Sequence, residues 1–263
     1  MNPARRAATQ LLIVIEQGQT TLARELERAR RTVPEERDRA LLVELAAGTL
    51  RWRNALDAIL AASSQRPLSD LAPAVRAILR VGAYQLWRLD RVPDHAVVND
   101  AVDAARLFGA ARAAGFVNGV MRAIIRRRRN LPLPARPGVD ADAAAQLAYL
   151  TVTLSHPAWL VTRWLARYGF DATVSWCEFN NRAPDVTVRP TNGGDLDTVL
   201  ADLTAGGAEA ARARWVRGAA TLAPGALGRL SPALRSQLFV QDEASQIVAL
   251  AVGAAPGDRV LDV

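Results

Sequence analysis

The sequence predicts a multidomain protein: an all-α helical bundle, then a small α+β subdomain, then the truncated start of an α/β domain. Three observations lead to this prediction. Apolar residues recur at helical spacing throughout residues 3–129. A segment with three prolines and one glycine, NLPLPARPGVD, follows as the clearest linker in the chain. Beyond it, near residue 186, the apolar period changes from that of helices to the alternation of strands.

Length and composition limit the classes of protein to which the chain can belong. Its 263 residues, half of them apolar, suffice for more than one folded core. No apolar run reaches the roughly 18 residues of a membrane span, and we expect no signal peptide. The single cysteine, Cys177, excludes an intramolecular disulfide and agrees with a reducing cytoplasm. The two histidines, His95 and His156, are too few and too far apart to predict a metal site.

Positive charge is concentrated in the first half of the chain. Residues 1–130 contain 22 Arg and 13 acidic residues, a balance of +9, whereas residues 131–263 have a balance of −2. All 33 basic residues are arginine, which can reflect the base composition of a genome, but that bias does not explain the asymmetry. The asymmetry indicates a polyanionic partner for the N-terminal half.

Seven helices are predicted in the bundle. Pro3 and Gly18 suit the start and the end of the first helix. The fifth has the most apolar face, so we expect it at the centre of the bundle. Gly82 on that face either allows close approach of a neighbouring helix or is simply tolerated. The predicted helices lie at about residues 3–18, 22–31, 34–52, 56–60, 71–87, 94–105 and 115–129.

The second half mixes helices and strands. Helices are predicted over 141–153, 159–168 and 171–180, and strands over 186–189, 213–216 and 220–222, with a helix capped by Asp195 between the first two strands. This order predicts a small split β-α-β sheet. A short strand at 238–240, a helix capped by Asp242 and a buried parallel strand at 259–263 follow. We therefore expect domains at 1–130, 141–237 and 238–263, with a linker at 131–140.

Arginines at the helix ends of the bundle are its candidate polyanion ligands. Arg5 and Arg6 stand where the helix dipole disfavours cations, so they either meet an anion or are merely tolerated. At the C-terminal end of the last helix, a basic run either complements the dipole or contacts RNA. This run comprises Arg126, Arg127, Arg128 and Arg129.

Aromatic residues beside arginines are a second kind of candidate. Arg51 and Arg53 flank Trp52, which is either a platform for base stacking or a core residue, because single-stranded RNA is often bound by aromatic and arginine planes. Tyr84 and Trp87 lie on the apolar central helix, which favours a place in the core.

Short motifs in a fixed order connect the chain to a known family. The first region resembles the RNA-binding domain of the transcription antitermination factor NusB. The whole chain resembles the N-terminal part of the RsmB (Sun/Fmu) type of 16S ribosomal RNA cytosine-C5 methyltransferase. The matching segments are residues 15–19, 39–42, 44–45, 48–51, 81–86, 92–99, 116–122, 155–160, 180–184, 188–192, 240–246 and 260–262.

The resemblance implies a NusB-like bundle, a small RRM-like subdomain and a Rossmann-type domain that uses S-adenosylmethionine. It implies ribosomal RNA as partner, a cytoplasmic monomer and no metal. Arg189 and Asn192 would contact RNA from the subdomain, or else lie at a surface strand end. Asp262 would end the strand that points at the cofactor, at the edge of its site.

The resemblance also sets an expectation for activity. Members of the family use a cysteine thiolate that adds to the pyrimidine ring, a second cysteine that releases the product, and a Cys-Ala-Ala-Pro-Gly-Gly-Lys loop that binds the cofactor. None of these motifs occurs here, and Cys177 is interpreted as a packing residue. We therefore expect the chain alone to bind the cofactor poorly and to be inactive. Two alternatives remain: a non-catalytic NusB-like RNA-binding or antitermination protein, and a bundle that binds protein.

Overall fold

The structure is a computed structural model that describes residues 1–18, 20–90, 92–138, 140–223, 225–255 and 257–261, with the side chain of Asn192 left out. The chain folds into two compact units, Met1–Arg182 and Ala183–Val263. Among its described residues, the first unit has helices as its only regular secondary structure. The second contains a small antiparallel sheet. The predicted multidomain class, a NusB-like helical bundle followed by a small α+β subdomain, is confirmed.

Ten α-helices form the first unit as described. Asn2 caps the first by accepting hydrogen bonds from the amides of Ala4 and Arg5, and Thr21 caps the second. A five-residue π-helix, Tyr149–Thr153, continues the eighth. The helices are α1 (Pro3–Glu16), α2 (Leu22–Arg30), α3 (Glu36–Arg51), α4 (Arg53–Ser63), α5 (Pro73–Arg88), α6 (Asp94–Leu107), α7 (Ala114–Arg127), α8 (Ala143–Ala148), α9 (Ala158–Tyr168) and α10 (Phe170–Asn180).

Helix α5 is the central helix, as predicted. It packs against α1, α3, α4, α6 and α7, and its residues from Ala77 to Leu86 are all buried. Burying each large aliphatic side chain of this core stabilises the fold by about 1.5–3 kcal/mol relative to exposure. A Cβ on Gly82 would lie 2.6 Å from Met121 Sδ, so a larger residue there would force the Met121 side chain of α7 to move. This contact favours the interpretation that Gly82 makes room for a neighbouring helix.

The predicted linker and the helices after it are fastened to the bundle. Leu131 and Leu133 pack against the bundle core. The amide of Asn54 on α4 donates to Ser155 Oγ at 3.0 Å, and its Nδ2 donates to the Thr151 carbonyl at the same distance. Ser155 is held at φ +58°, a left-handed conformation that non-glycine residues rarely adopt. These bonds place residues up to Arg182 in the first unit.

The second unit is a four-stranded antiparallel sheet with helices. Its strand order is β2-β3-β1-β4, and β1 lies between β3 and β4 with Thr187 opposite Thr221 and Arg189 opposite Phe239. Val188 points into a core with Leu203 of the first helix of the unit. The elements are β1 (Val186–Pro190), α11 (Leu196–Ala205), β2 (Ala210–Arg212), β3 (Ala220–Leu222), α12 (Ala226–Arg229), α13 (Pro232–Ser236), β4 (Leu238–Val240) and α14 (Glu243–Ala251).

The strand predictions need two corrections. The strand predicted at 213–216 is wrong, because Ala210 and Arg212 pair with β3 and so place those residues in the connecting loop, where the Ala213 amide donates to the Ala219 carbonyl at 2.9 Å. The strand predicted at 259–263 is not formed in its described part, 259–261, where no neighbouring strand pairs its backbone groups. β4 instead completes the sheet beside β1. The domain boundaries at 130, 140 and 237 stay predictions.

Candidate nucleic-acid interface

The basic run at the end of α7 divides into structural and free arginines. Arg127 donates from Nη1 to the Ala62 carbonyl at 2.7 Å, which fastens α7 to the end of α4. Arg128 forms ion pairs with Asp94 at 3.0 Å and with Asp90 at 3.7 Å. Arg126 and Arg129 are exposed and pair with no carboxylate in the part of the chain that the structure describes. Two positive charges are therefore left for a ligand at this end.

Arg126 opens onto a groove of about 540 Å³ between α7 and the connection from α4 to α5. Gly119 and Ala123 lie one turn apart on α7, and their small side chains leave the space that the groove occupies. Arg66 lies across from α7, with its guanidinium carbon 5.8 Å from the centroid of the Phe116 ring. The lining comprises Ser63, Gln65, Arg66, Phe116, Gly119, Val120, Ala123 and Arg126.

A neighbouring recess shares several of these residues and adds Arg127, so the two form one continuous surface, here called the α7 groove. No residue lining it within the described chain is acidic. Three arginines along a groove that also contains an aromatic ring suit phosphate groups with an adjoining base or sugar. Sequence reasoning missed Arg66 and Phe116. Two features of the sequence could have indicated this groove. Arg66 stands beside Pro67 between two predicted helices, and Gly119 and Ala123 put two small residues on one side of α7.

The two arginines at the start of α1 have different environments. Arg5 donates from Nε to Gln85 Oε1 at 2.7 Å and pairs through Nη1 with Asp100 at 2.5 Å. Its charge is thus neutralised inside the unit, which gives a structural reason for a cation at this helix end. Arg6 is exposed and forms no ion pair among the described residues.

Arg53 belongs to an ion-pair network centred on Glu16, whose side chain is only 6% exposed. The Glu16 carboxylate lies 3.7 Å from Arg53 and 3.2 Å from Arg76, and it also contacts Arg80. Arg80 in turn forms a bidentate pair with Asp57, with distances of 2.7 and 2.8 Å. This network joins α1, α4 and α5, so part of the positive charge counted in the sequence serves the fold.

Trp52 is a core residue. It is 8% exposed, and the edge-to-face ring of Trp87 lies 5.3 Å from it between centroids. The guanidinium of Arg88 lies 3.9 Å from the Trp52 ring centroid and occupies the place where a base would stack. The neighbouring Arg51 is half-buried. The core alternative for this tryptophan is therefore confirmed.

The buried Tyr84 forms a hydrogen bond with a charged side chain. Tyr84 donates its hydroxyl hydrogen to the Glu44 carboxylate. Burial, and then this hydrogen bond, raise the pKa of Tyr84 above its ordinary value of 10.0. Tyr84 and its partner thus connect α5 to α3, as expected for a core position.

In the second unit, one predicted residue is described in full. Arg189 donates from Nε to Gln241 Oε1 at 2.8 Å, and its guanidinium carbon lies 4.6 Å from the Phe239 ring centroid. Asn192 lies in a 3₁₀ turn, Thr191–Gly193, but its side chain is outside the described atoms. Asp262 lies outside the described residues.

His156 and Cys177 are both buried, and neither environment is that of a reactive group. His156 is buried, its Nδ1 lies 2.7 Å from the Leu154 carbonyl, and burial lowers its pKa below 6.5. Cys177 is fully buried, and burial raises the pKa of its thiol to about 11. Where side chains are described, no group of three His, Cys, Asp or Glu is placed to hold a metal ion. No described helix is both long enough and apolar enough to cross a membrane.

Comparisons with known proteins agree with this layout. The NusB family model matches residues 2–126, and the model of the ferredoxin-like domain of RsmF/B-like methyltransferases matches residues 156–226. The probable ribosomal RNA small subunit methyltransferase B of Bacillus subtilis is 33% identical over 230 residues, covering 86% of this chain and 49% of the relative. The ribosomal RNA small subunit methyltransferase B of Pseudomonas putida is 33% identical over 264 residues, covering 100% and 57%.

A solved structure shows the same fold over nearly the whole chain. The crystal structure of PH0851 has a TM-score of 0.65 at 20% identity and covers 98% of this chain and 57% of its own. The chain spans about half the length of the curated relatives it matches. The chain therefore combines a NusB domain with an RsmF/B-type ferredoxin-like domain, and it aligns along its whole length with a relative named ribosomal RNA small subunit methyltransferase B.

Proposed function

We propose that this chain is the RNA-binding portion of an S-adenosylmethionine-dependent 16S ribosomal RNA cytosine-C5 methyltransferase. The observation that carries the proposal is the α7 groove, whose described lining contains Arg66, Arg126, Arg127 and the Phe116 ring and no acidic residue. The names of the relatives supply the substrate class and the reaction. The ferredoxin-like match favours this function over a NusB-like antitermination protein, which would need the bundle alone.

The bundle binds RNA mainly through its unpaired arginines. Arg66 and Arg126 contact phosphates from the two sides of the α7 groove, Arg129 contacts them from just beyond the end of α7, and Phe116 offers an apolar surface to a base or sugar. Further contacts come from residues that ring the bundle or lie in the second unit. This outer set comprises Arg6, Arg51, Arg53, Arg189 and Asn192, while Arg127 adds a contact from the lining of the groove itself. Arg5 and Arg128, whose charges are neutralised by aspartates, act mainly by holding the surface in shape.

These 263 residues by themselves transfer no methyl group. Cytosine-C5 chemistry begins with attack of a cysteine thiolate on the ring, and the single cysteine of the chain is buried with its pKa raised to about 11. Cofactor binding is weak, with Asp262 at the edge of the site. Ribosomal RNA is the partner, the cytoplasm the place of action, and the protein works as a monomer without a metal ion.

RNA binding tests the groove. An unpaired 16S ribosomal RNA fragment carrying a fluorophore is titrated with the chain at about 50 and about 200 mM salt, and binding is read from fluorescence anisotropy. For single strands each lost phosphate contact reduces the steepness of the fall of log K with log salt by about 0.7, so Arg126→Ala with Arg129→Ala reduces it by about 1.4. Arg37→Ala, which removes an exposed arginine with no ion pair among the described residues, is the matched control.

The control variant is expected to bind RNA like the parent chain. An unchanged slope in the double variant, or an equal loss in Arg37→Ala, contradicts the assignment of the groove. A second assay incubates the chain with 16S ribosomal RNA and S-adenosylmethionine labelled in its methyl group. We expect no transfer of label to RNA, and transfer above the background without protein contradicts the proposal.

A further inference from the structure

The surface of α9 and α10 carries aromatic side chains that the bundle core does not use. Trp176 stacks on Trp164 with ring centroids 5.5 Å apart and an angle of 10° between the planes. The ring of Tyr168 contacts Trp176 at 5.3 Å between centroids. Phe179 follows Trp176 by one helical turn and so shares its side of α10. We call these four residues the α9–α10 aromatic cluster.

Three members of the cluster are exposed to solvent. Tyr168, Trp176 and Phe179 are 42%, 43% and 66% exposed, whereas Trp164 beneath them is half-buried. A soluble protein that leaves large aromatic rings together on its surface commonly uses them in binding. The ordered parallel stack also shows that rings on this surface are already held in the geometry in which a further planar group can stack.

Positive charge accompanies the rings. The guanidinium carbon of Arg167 lies 5.4 Å from the Tyr168 ring centroid, and Arg163 lies one turn earlier on α9. Both arginines are exposed, and neither pairs with a carboxylate within the described residues. Unpaired arginines next to exposed rings provide the two contacts that a single-stranded nucleic acid needs, one for phosphates and one for bases.

The composition of the cluster differs from that of the other exposed apolar face of the chain. Every large apolar side chain that α9 and α10 expose within the described chain is aromatic. The exposed face of α14 in the other unit is aliphatic instead, with Ile247, Val248 and Leu250 open to solvent. Aliphatic side chains fill an apolar interface as well as rings do, but only rings stack on bases. Arg163 and Arg167 leave positive charge without a carboxylate partner among the described residues, which complements a polyanion, and the rings complement its bases, so the ligand argued for is a nucleic acid.

We propose that the α9–α10 aromatic cluster is a second RNA site, which stacks the bases of an unpaired ribosomal RNA strand. The exposed faces of Trp176 and Phe179 receive bases, Tyr168 borders them, and Arg163 and Arg167 contact the adjoining phosphates. The site requires unpaired bases, because the faces of bases inside a duplex are already covered. It rests on the proposed function only in that ribosomal RNA is the ligand, since it shares no residue with the α7 groove.

The test compares two labelled RNAs, an unpaired oligoribonucleotide of mixed sequence and a blunt duplex of the same length. Phe179→Ala and Trp176→Ala in the full chain are each expected to weaken binding of the unpaired strand by roughly 5- to 150-fold, the range for loss of one stacked base. Binding of the duplex stays unchanged. Phe179→Leu and Trp176→Leu keep the apolar character but lose the ring, and we expect them to bind as poorly as the alanine variants.

Aromatic replacements and a tryptophan of the other unit are the controls. Phe179→Tyr and Trp176→Phe retain binding of the unpaired strand, and Trp215→Ala, which removes a tryptophan 68% exposed in the other unit, leaves it unchanged. Circular dichroism of each variant establishes that the helices are intact. Because Phe179 lies at the surface, its variants fold even if the stacked Trp176 proves sensitive to replacement.

Several outcomes overturn the proposal. They are full binding by Phe179→Leu, an equal loss in Trp215→Ala, and unchanged RNA affinity accompanied by a change in oligomeric state, which would indicate a protein interface. The two RNA sites can fail separately. If only the arginine variants of the α7 groove weaken binding, the aromatic site is refuted and the groove stands. If only the ring variants do so, the groove is refuted.

Discussion

Gly48 offers a direct test of how tightly α3 and α5 pack, through the substitution Gly48→Ala. Helix propensity alone predicts that this change stabilises α3 by about 1 kcal/mol. The structure predicts the opposite result. A Cβ at this position would overlap Cζ and Oη of Tyr84 and would lie 2.8 Å from its Cε1, whereas ordinary contacts begin near 3.4 Å. The Tyr84 ring is 3% exposed and fixed by its hydrogen bond to Glu44, so it has little room to move.

The expected magnitude follows from three contributions. Overpacking of a well-packed core costs about 2 kcal/mol. Displacement of the tyrosine hydroxyl from the exposed Glu44 carboxylate costs about 1 kcal/mol more. The gain in helix propensity offsets about 1 kcal/mol, which leaves a net loss of about 2 kcal/mol in the free energy of unfolding. For a unit of this size, the loss lowers Tm by about 4–8 °C.

Urea denaturation followed by tryptophan fluorescence measures the change, because Trp52 and Trp87 lie in the same core. Gly119→Ala on α7 is the matched control. A Cβ there meets nothing within 4 Å, so this variant is expected to gain up to about 1 kcal/mol. The reasoning is refuted if Gly48→Ala is as stable as the parent protein, or if both alanine variants lose stability equally.

Three further predictions concern charged and titratable groups. Glu16→Gln leaves the buried Arg80 short of a partner and is expected to lower the unfolding free energy by about 3 kcal/mol in urea denaturation, whereas the exposed Glu27→Gln changes it by less than about 1 kcal/mol. The pKa of His156 is lower in the folded chain than its ordinary 6.5, so the unfolded chain binds the proton first. Stability is therefore expected to fall as pH drops below about 6.5, measured as a loss in Tm that His156→Gln reduces. Cys177, with a pKa of about 11 and no exposed surface, should resist iodoacetamide at pH 8 in the folded chain and react promptly in guanidinium chloride, as followed by mass spectrometry.

The helices and the centre of the bundle could be predicted because they depend on local periodicity. The apolar face of α5, the cap at Asp195 and the proline at the start of α1 are all visible within a few residues of sequence. The strand predicted at 213–216 failed for the opposite reason. The residues that form a strand depend on the neighbouring strand with which they pair, and β3 pairs with Ala210–Arg212 instead.

The candidate site could be predicted only in part. The sequence located positive charge at the end of α7 but could not show which arginines are neutralised. Arg5 finds its carboxylate 95 residues away, at Asp100, and Arg127 finds a carbonyl 65 residues away on α4. Arg66 and Phe116 face each other only because the α4–α5 connection lies beside α7. No local sequence pattern specifies contacts between residues so far apart in the chain.

By itself the sequence determined the type of most elements, the concentration of arginine in the first half and the resemblance to a known family. These properties follow from residue spacing, charge count and motif order, which need no knowledge of neighbours in space. Tertiary structure alone decided which arginines remain free, where the α7 groove opens and which aromatic rings stay exposed on α9 and α10. The physical reason is that neutralisation, cavities and exposure depend on distances between side chains far apart in sequence, and folding sets those distances.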